Sequence, residues 1–303
     1  MRLIRGFAKS LIPVDGLTLG NFDGVHLGHK HLVAQAAKAG PRCAVVTFHP
    51  HASEFFAPDK APARLYRCRD KIEFLSRETA AQLVSVLRFN QQLASMSAAA
   101  FFDALWSAYQ PTKVVVGGDF RYGKGREGTI DTLAMHCAER NVELQVAESL
   151  LYDGQRVSST RVRQAIAASD FDTAAALLGR PYCIAGKVVY GQALGRTLGF
   201  PTVNLPLPGY TSPLHGVFAV RVHGDGWSRD GVANIGTRPA VGGGHWLLEA
   251  HLFDFDQNVY GQRLAVEFVA KLRNEEMFEQ LDLMVEQMKL DAAKAQDILS
   301  PAS

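Results

Sequence analysis

The spacing at which apolar residues recur changes once along this chain, near residue 180, and this change limits what the chain can fold into. Before it, short apolar runs alternate with helical patterns, which is typical of a parallel sheet covered by helices. After it, apolar residues recur at every second position, as in 264–272, where Glu267 and Lys271 lie on the opposite face. We therefore predict a doubly wound α/β domain over residues 1–180, then a small antiparallel β-barrel with a C-terminal helix over residues 181–303.

The same patterns give a first set of element boundaries. In the first domain, strands are predicted at 17–20, 44–48, 83–89, 114–117 and 142–146, and helices near 27–39, 69–79, 97–109 and 129–140. In the second domain, strands are predicted at 216–222, 246–255 and 264–272, and a helix at 275–290. We expect the apolar stripe of that helix, which includes Met277, Met284 and Met288, to pack in the core rather than to contact a ligand.

Composition and charge argue against several classes of protein. The chain is 47% hydrophobic and 20% charged, as globular proteins are, and its net charge of +2 offers no basic surface for a nucleic acid. The four cysteines are scattered without a Cys-x-x-Cys pair, which argues against a disulfide framework or a zinc ribbon. No signal peptide or membrane-length apolar run is found. We expect a cytoplasmic protein that acts on neither nucleic acids nor membranes.

Residues 20–29 join the first predicted strand to the first predicted helix. Two histidines, His26 and His29, fall at the helix start, and their spacing places both imidazoles on one side of the first turn. Free N–H groups and the positive end of the helix dipole favour an anion there, and Gly28 leaves room for a phosphate. The segment predicts a site for a nucleotide triphosphate. Solvated or capping histidines are the alternative, and a metal site is disfavoured by the ligand spacing.

Three further segments of the first half fit phosphate or flavin binding. Residues 47–51 end the second strand with two histidines at the edge where ligands bind in such sheets. Residues 117–128 follow a strand of three valines and are rich in glycine and basic residues; Asp119 and Phe120 would orient a ring system there. Residues 158–163 open the last helix, where hydroxyls either cap the helix or, with two arginines, clamp a triphosphate.

The second half carries two segments suited to phosphate chemistry. Pro201 fixes the backbone before Thr202 and Asn204, which point the same way on an extended chain. Their oxygens suit a magnesium ion that already carries phosphate oxygens, although a simple turn is the alternative. Glu249 lies on an otherwise apolar strand, where it is either a general base for a hydroxyl or an ion-paired strand residue.

In their order and spacing, these motifs resemble those of the bacterial bifunctional riboflavin kinase/FMN adenylyltransferases, also called FAD synthetases. The resemblance covers essentially the whole chain. It is carried by segments 20–29, 47–51, 117–128, 158–163, 199–204, 231–239, 249–255, 260–261 and 272–278. It implies a Rossmann-like nucleotidylyltransferase domain followed by a riboflavin kinase-like barrel. Its implied substrates and products are riboflavin, FMN, FAD, ATP, ADP and pyrophosphate, with Mg²⁺ accompanying ATP.

The resemblance also implies roles for particular residues. His26 and His29 bind ATP phosphates and stabilise the transition state of adenylyl transfer, and Glu249 is the base of the kinase. The turn that precedes the histidines belongs to the same nucleotide site and consists of Gly20, Asn21, Phe22, Asp23 and Gly24. The triphosphate is held by Ser159, Thr160, Arg161 and Arg163, and the flavin or ATP pocket includes Asp119 and Phe120. In the barrel, Mg-ATP is bound by Gly199, Pro201, Thr202 and Asn204, and the last two hold the metal.

The chain departs from the family pattern at two loops. Ala52 stands where the family usually has proline, which loosens the loop after the second strand, and Ala240 stands where threonine is common. A glycine run at 242–244 follows Ala240. Two other functions are compatible with parts of the chain: a nucleotidylyltransferase with another substrate, which leaves the barrel unexplained, and a flavin-binding regulatory module, which the intact motifs disfavour.

Overall fold

In a computed structural model, which describes residues 1–191, 198–238 and 245–300, the chain divides into two compact units. The first unit consists of Met1–Pro62 and Tyr66–Ser159, and the second of Ala63–Leu65 and Thr160–Ser303. The change of unit after Ser159 assigns residues 160–180 to the second unit. The functional boundary expected near residue 180 stays a prediction.

The first unit is built on a six-stranded parallel sheet. The strands are β1 (Arg2–Arg5), β2 (Gly16–Leu19), β3 (Cys43–His49), β4 (Leu83–Arg88), β5 (Lys113–Gly117) and β6 (Glu143–Ala147), in the order β1-β4-β3-β2-β5-β6. The helices are α1 (Leu27–Ala37), α2 (Ala52–Phe56), α3 (Cys68–Glu78), α4 (Gln91–Ala94), α5 (Ala98–Tyr109) and α6 (Ile130–Ala138). A short hairpin of β7 (Leu151–Tyr152) and β8 (Gln155–Arg156) follows. The chain order reverses between β2 and β5, which is where such sheets bind ligands.

Both faces of the parallel sheet are buried, which explains why its strands read as apolar runs. On β5, Val114 and Val116 pack in one cluster with Phe101 of α5, whereas Val115 packs in another with Val33 of α1. The five strands and four helices predicted for this unit are confirmed to within about two residues. The edge strand β1 was not predicted, because its two adjacent aliphatic residues, Leu3 and Ile4, lie between arginines and are too few to show a period.

The second unit is a six-stranded antiparallel barrel. Its strands are β9 (Cys183–Lys187), β10 (Thr202–Leu207), β11 (Gly216–His223), β12 (Ser228–Arg238), β13 (His245–Leu252) and β14 (Arg263–Arg273), in the order β10-β13-β12-β11-β14-β9. A bridge between Val189 and Asn204 brings the two edges together, so the sheet is nearly closed. Its helices are α7 (Ser159–Ala167), α8 (Phe171–Leu178) and α9 (Leu281–Leu299). No helix within the described residues is both long and apolar enough to cross a membrane.

The C-terminal helix differs from its prediction in position and in packing. It begins at Leu281 rather than at Glu275, because Glu275 accepts a hydrogen bond from Asn234 and pairs with His215, which holds this stretch of chain outside the helix. The expected core packing of the methionine stripe is wrong. Met277 is fully exposed, and the buried residues of the helix are Asp291, Ala295 and Leu299.

Candidate active sites

The turn between β2 and α1 has a strained backbone. Phe22 and Val25 have left-handed φ angles of 50° and 42°, and Gly24 has a φ of 92°. Left-handed conformations of residues other than glycine cost about 1–3 kcal/mol each, and they are rarest for β-branched side chains such as valine. Phe22 and Val25 are completely buried in the core beside α1, so packing holds the turn in this shape.

The turn delivers the two histidines to the start of α1, as the spacing predicted. His26 caps the helix and is 5% exposed; its Nδ1 accepts a hydrogen bond of 3.3 Å from the His29 backbone N–H. The two rings stack with centroids 3.6 Å apart and planes 16° apart. Two imidazoles at the positive end of an 11-residue helix can donate to the oxygens of an anion.

A residue from the start of α7 completes this turn within the first unit. Ser159 Oγ donates to the Asp23 carbonyl at 2.7 Å. Of the four residues expected to hold a triphosphate, only Ser159 belongs to the same unit as the histidines. Thr160, Arg161 and Arg163 belong to the second unit, in which Arg163 Nε donates to the Ala63 carbonyl at 2.6 Å.

A buried lysine that the sequence did not reveal also contacts this turn. Lys71 on α3 is 8% exposed, and its Nζ donates to the Asn21 carbonyl at 2.9 Å, to Thr47 Oγ1 at 3.0 Å and to the Phe48 carbonyl at 3.1 Å. Thr47 Oγ1 donates in turn to the same Asn21 carbonyl at 3.0 Å. A lysine in an amphipathic helix normally faces solvent, so the pattern gave no sign of this position.

The loop after β3 continues into a capped helix rather than an irregular stretch. Ala52 is the first residue of α2, and His51 is its cap. The His51 ring accepts from the Ser53 backbone N–H at 3.1 Å, and Glu54 accepts from the His51 N–H at 3.0 Å. The loosening expected from Ala52 is therefore countered by this pair of caps.

Asp119 and Phe120 lie after β5, at the ligand-binding edge of the sheet. Asp119 Oδ1 accepts from Arg156 Nη2 at 2.9 Å, and this hydrogen bond lowers the pKa of the Asp119 carboxyl below its ordinary value. Phe120 stacks on Tyr122 with ring centroids 5.6 Å apart. Arg156 comes from the β7–β8 hairpin, which the sequence analysis did not predict.

In the barrel, strand pairing brings the predicted kinase residues onto one face. Across β10, β13 and β12, Asn204 pairs with Glu249, and Glu249 pairs with Asn234. Two positions along, Thr202 pairs with His251. Residues opposite one another or two apart share a face in an antiparallel sheet. Thr202 and Asn204 therefore share a face of the sheet with Glu249. The sequence alone could not place Glu249 beside them.

This face opens into a cavity of about 470 Å³. Its polar lining residues include Thr202, Asn234, Glu249, His251 and Arg273, and its apolar lining residues include Phe200, Phe278, Met284 and Met288. The volume lies in the range of small-molecule sites, which reach from about 300 to 1,000 Å³. Part of the methionine stripe predicted for the core therefore lines a site.

Two hydrogen-bonded contacts support this cavity. His251 Nδ1 donates to the Pro201 carbonyl at 2.9 Å, directly before Thr202, and its ring packs edge-on against Phe200 at 5.1 Å. The partly buried Arg273 forms an ion pair with the buried Asp291 of α9 at 2.9–3.1 Å. Gly199 lies in a turn with a φ of 83°, but residues 195–197, Ala240 and 242–244 fall outside the described residues.

Comparison with known proteins gives matches to both halves of the chain. The FAD synthetase family matches residues 13–161, and the riboflavin kinase family matches residues 178–299. The chain is 42% identical over 306 residues to the bifunctional riboflavin kinase/FMN adenylyltransferase of Escherichia coli (strain K12), covering 98% of this chain and 97% of the relative. The enzyme of the same name from Pseudomonas fluorescens is also 42% identical, over 100% of this chain and 99% of the relative.

Among solved structures, a protein from Streptococcus pneumoniae described as a macrolide-efflux protein is similar over the whole length and is 28% identical in sequence. It aligns with a TM-score of 0.81 over 99% of this chain and 100% of that one.

Proposed function

This chain belongs to the family of bifunctional riboflavin kinase/FMN adenylyltransferases, and we propose that it runs its two reactions at two separate sites, one in each unit. It phosphorylates riboflavin to FMN and adenylylates FMN to FAD. The two-site proposal rests on one observation: the candidate catalytic residues form two separate groups, one in each unit. Stacked His26 and His29 lie at a helix start in the first unit, and Glu249 lines a cavity beside Thr202 in the second.

In the barrel, Glu249 is the general base of the kinase reaction. Its carboxylate takes the proton of the ribityl 5′-hydroxyl, and that oxygen attacks the γ-phosphorus of ATP. The bond from the γ-phosphorus to the oxygen that bridges to the β-phosphate breaks, which gives FMN and ADP. The methionines and Phe278 of the cavity provide apolar contacts for the flavin ring, and the polar groups of Thr202 and Glu249 face the reacting end.

The donor set in the barrel fits a magnesium ion brought by ATP. Thr202 and Asn204 present a hydroxyl and an amide on one face, next to the carboxylate of Glu249, and Mg²⁺ prefers such oxygen ligands. We assign Thr202 and Asn204 as the residues that hold it. When bound, the ion neutralises negative charge on the phosphates. His251 keeps the Pro201 carbonyl, and so the start of β10, in place.

In the first unit, adenylyl transfer needs positioning and charge stabilisation rather than a covalent enzyme intermediate. A phosphate oxygen of FMN attacks the α-phosphorus of ATP, and pyrophosphate leaves. His26, His29 and the N–H groups at the start of α1 stabilise the charge that develops on the phosphates. Asp119 and Phe120 contribute to the flavin or ATP pocket, and Ser159, which belongs to the same unit, contributes to holding the triphosphate.

We place both reactions in the cytoplasm. All four cysteines are free thiols, and Cys43 and Cys137 are buried, which fits a reducing compartment. Burial also raises the pKa of each of these two thiols to about 11.

The proposal is tested with one substitution in each site of the full chain. His26→Ala should convert riboflavin and ATP to FMN but make little FAD, whereas Glu249→Gln should leave riboflavin unphosphorylated and still convert added FMN to FAD. Chromatographic separation of riboflavin, FMN and FAD after incubation with Mg-ATP measures both. Normal FAD output by His26→Ala, or normal FMN output by Glu249→Gln, would rule out the assigned residue.

A further inference from the structure

We propose that Lys71 is a positioning residue for adenylyl transfer: its ammonium group fastens the turn before His26 to the end of β3. The proposal rests on the function proposed for the first unit. The hydrogen bonds of Lys71 described above go to protein oxygens, so its effect on the reaction passes through the backbone that carries His26.

The burial of Lys71 calls for a reason. Lysine is almost never fully buried unless its charge has partners, because removing an ammonium group from water is costly. Lys71 is 8% exposed and its ammonium has three donors, which match the three oxygens found around it. A methionine of similar length could fill this space without the cost of desolvation. The position therefore uses the hydrogen bonds of the ammonium group and not just the bulk of the side chain.

These oxygens belong to two neighbouring segments at the ligand-binding edge of the sheet. The backbone ladder between β2 and β3 ends with the Gly20 N–H, which donates to the Val46 carbonyl at 3.1 Å. Directly beyond it, Lys71 joins the Asn21 carbonyl to Thr47 and Phe48. Three charge-assisted hydrogen bonds from the Lys71 ammonium group thus join the two segments where strand pairing stops.

The turn needs such a fastening because it is strained. Phe22 and Val25 both have left-handed φ angles and lie between Asn21 and His26. Two carbonyls of the turn are held by side chains from elsewhere in the unit: Asn21 by Lys71 and Thr47, and Asp23 by Ser159. Without the ammonium group, the turn can relax toward less strained conformations and shift His26. Displacements of about 1 Å in a catalytic group can lower rates by about 100-fold.

The first test replaces Lys71 by methionine in the full chain. Lys71→Met should lower kcat for FMN adenylylation and raise the KM for ATP, with kcat/KM falling on the order of 100-fold. Riboflavin phosphorylation takes place in the other unit and should stay within about twofold. A far-UV circular dichroism spectrum equal to that of the wild type verifies that the first unit is folded. Lys71→Arg keeps the charge and several N–H donors, so its kcat/KM for adenylylation should be about tenfold higher than that of Lys71→Met.

A matched lysine gives the control. Lys113 is also mostly buried and pairs with Glu143 at 2.8 Å, but it lies at the opposite, amino-terminal end of β5. Lys113→Met should leave both activities unchanged. If Lys71 served stability alone, Lys71→Met would lower the unfolding temperature yet keep wild-type kcat and KM for ATP at temperatures where it is folded, and that result would overturn the proposal.

Two further outcomes, an unfolded variant and an inactive unmodified enzyme, can be distinguished from a loss of positioning. If Lys71→Met does not fold, as shown by loss of the wild-type circular dichroism spectrum, Lys71→Gln takes its place, because its amide retains neutral donors. Wild-type adenylylation kinetics in Lys71→Gln would equally overturn the positioning role, and a raised KM for ATP would support it. Failure of the unmodified enzyme to make FAD from FMN would instead count against the proposed function.

Discussion

In both units a single side chain holds a backbone carbonyl that precedes a residue proposed to bind ligand. Lys71 holds the Asn21 carbonyl ahead of His26, and His251 holds the Pro201 carbonyl ahead of Thr202. In each pair the side chain lies 50 residues from its carbonyl. The histidines of the first unit could be predicted because they are neighbours in sequence. Lys71 and His251 could not, because only the folded sheets bring them to their partners.

The hydrogen bond of His251 gives a prediction at this scale. His251→Ala should raise the KM for ATP in riboflavin phosphorylation by about fivefold, the equivalent of one neutral hydrogen bond, with a smaller change in kcat. His251→Asn is the matched control, because its amide nitrogen lies where Nδ1 was and can still donate to the Pro201 carbonyl. Steady-state kinetics of FMN formation measure both, and an unchanged KM in His251→Ala would contradict the role.

The elements of the first unit follow from the sequence more closely than those of the second. Buried parallel strands such as β3 and β5 are continuous apolar runs, and they were predicted to within about two residues. In the barrel, β10 contains Pro206 and β12 contains two glycines, Gly231 and Gly236, which depress strand propensity. Those two strands flank Glu249. The sequence could therefore propose residues for a kinase site but not predict the strand register that aligns them.

The helix α9 was placed too early because its apolar residues were all assigned to the core. The helix is instead fixed by polar contacts: Asp291 is buried against Arg273, and Gln287 donates to the same carboxylate at 3.0 Å. The pattern of apolar residues in a sequence cannot reveal an ion pair of this kind. Met284 and Met288, on the same helix, line the cavity.

The ion pair between α9 and the end of β14 gives a prediction about the helix. Asp291→Asn should destabilise the second unit by about 3 kcal/mol, because it leaves the guanidinium of Arg273 buried without its counter-charge. Asp297→Asn, on the exposed side of the same helix, should change stability by less than about 0.5 kcal/mol. With Trp106 of the first unit replaced by phenylalanine, urea unfolding followed by fluorescence of Trp227 and Trp246 reports on this unit. Equal midpoints for the two variants would contradict the role given to Asp291.

At the scale of the whole molecule, the change of periodicity correctly separated an α/β fold from an antiparallel barrel. The change of periodicity did not indicate that the second unit consists of two separate stretches of the chain. The segment Ala63–Leu65, from between α2 and α3, belongs to that unit, where the Leu65 carbonyl accepts from the hydroxyls of Tyr182 and Tyr210 at 3.3 Å. Such a segment has neither apolar periodicity nor a motif, so its place depends on tertiary contacts alone.

The central claim is that the two reactions take place at two separate active sites, and mixing two variants tests it most directly. His26→Ala and Glu249→Gln are each incubated with riboflavin and Mg-ATP, alone and together, and FAD is measured by chromatography. Neither variant alone should make FAD, and the mixture should, because FMN released by the first is adenylylated by the second. FAD from either variant alone, or none from the mixture while each retains its own reaction, would contradict the two-site account.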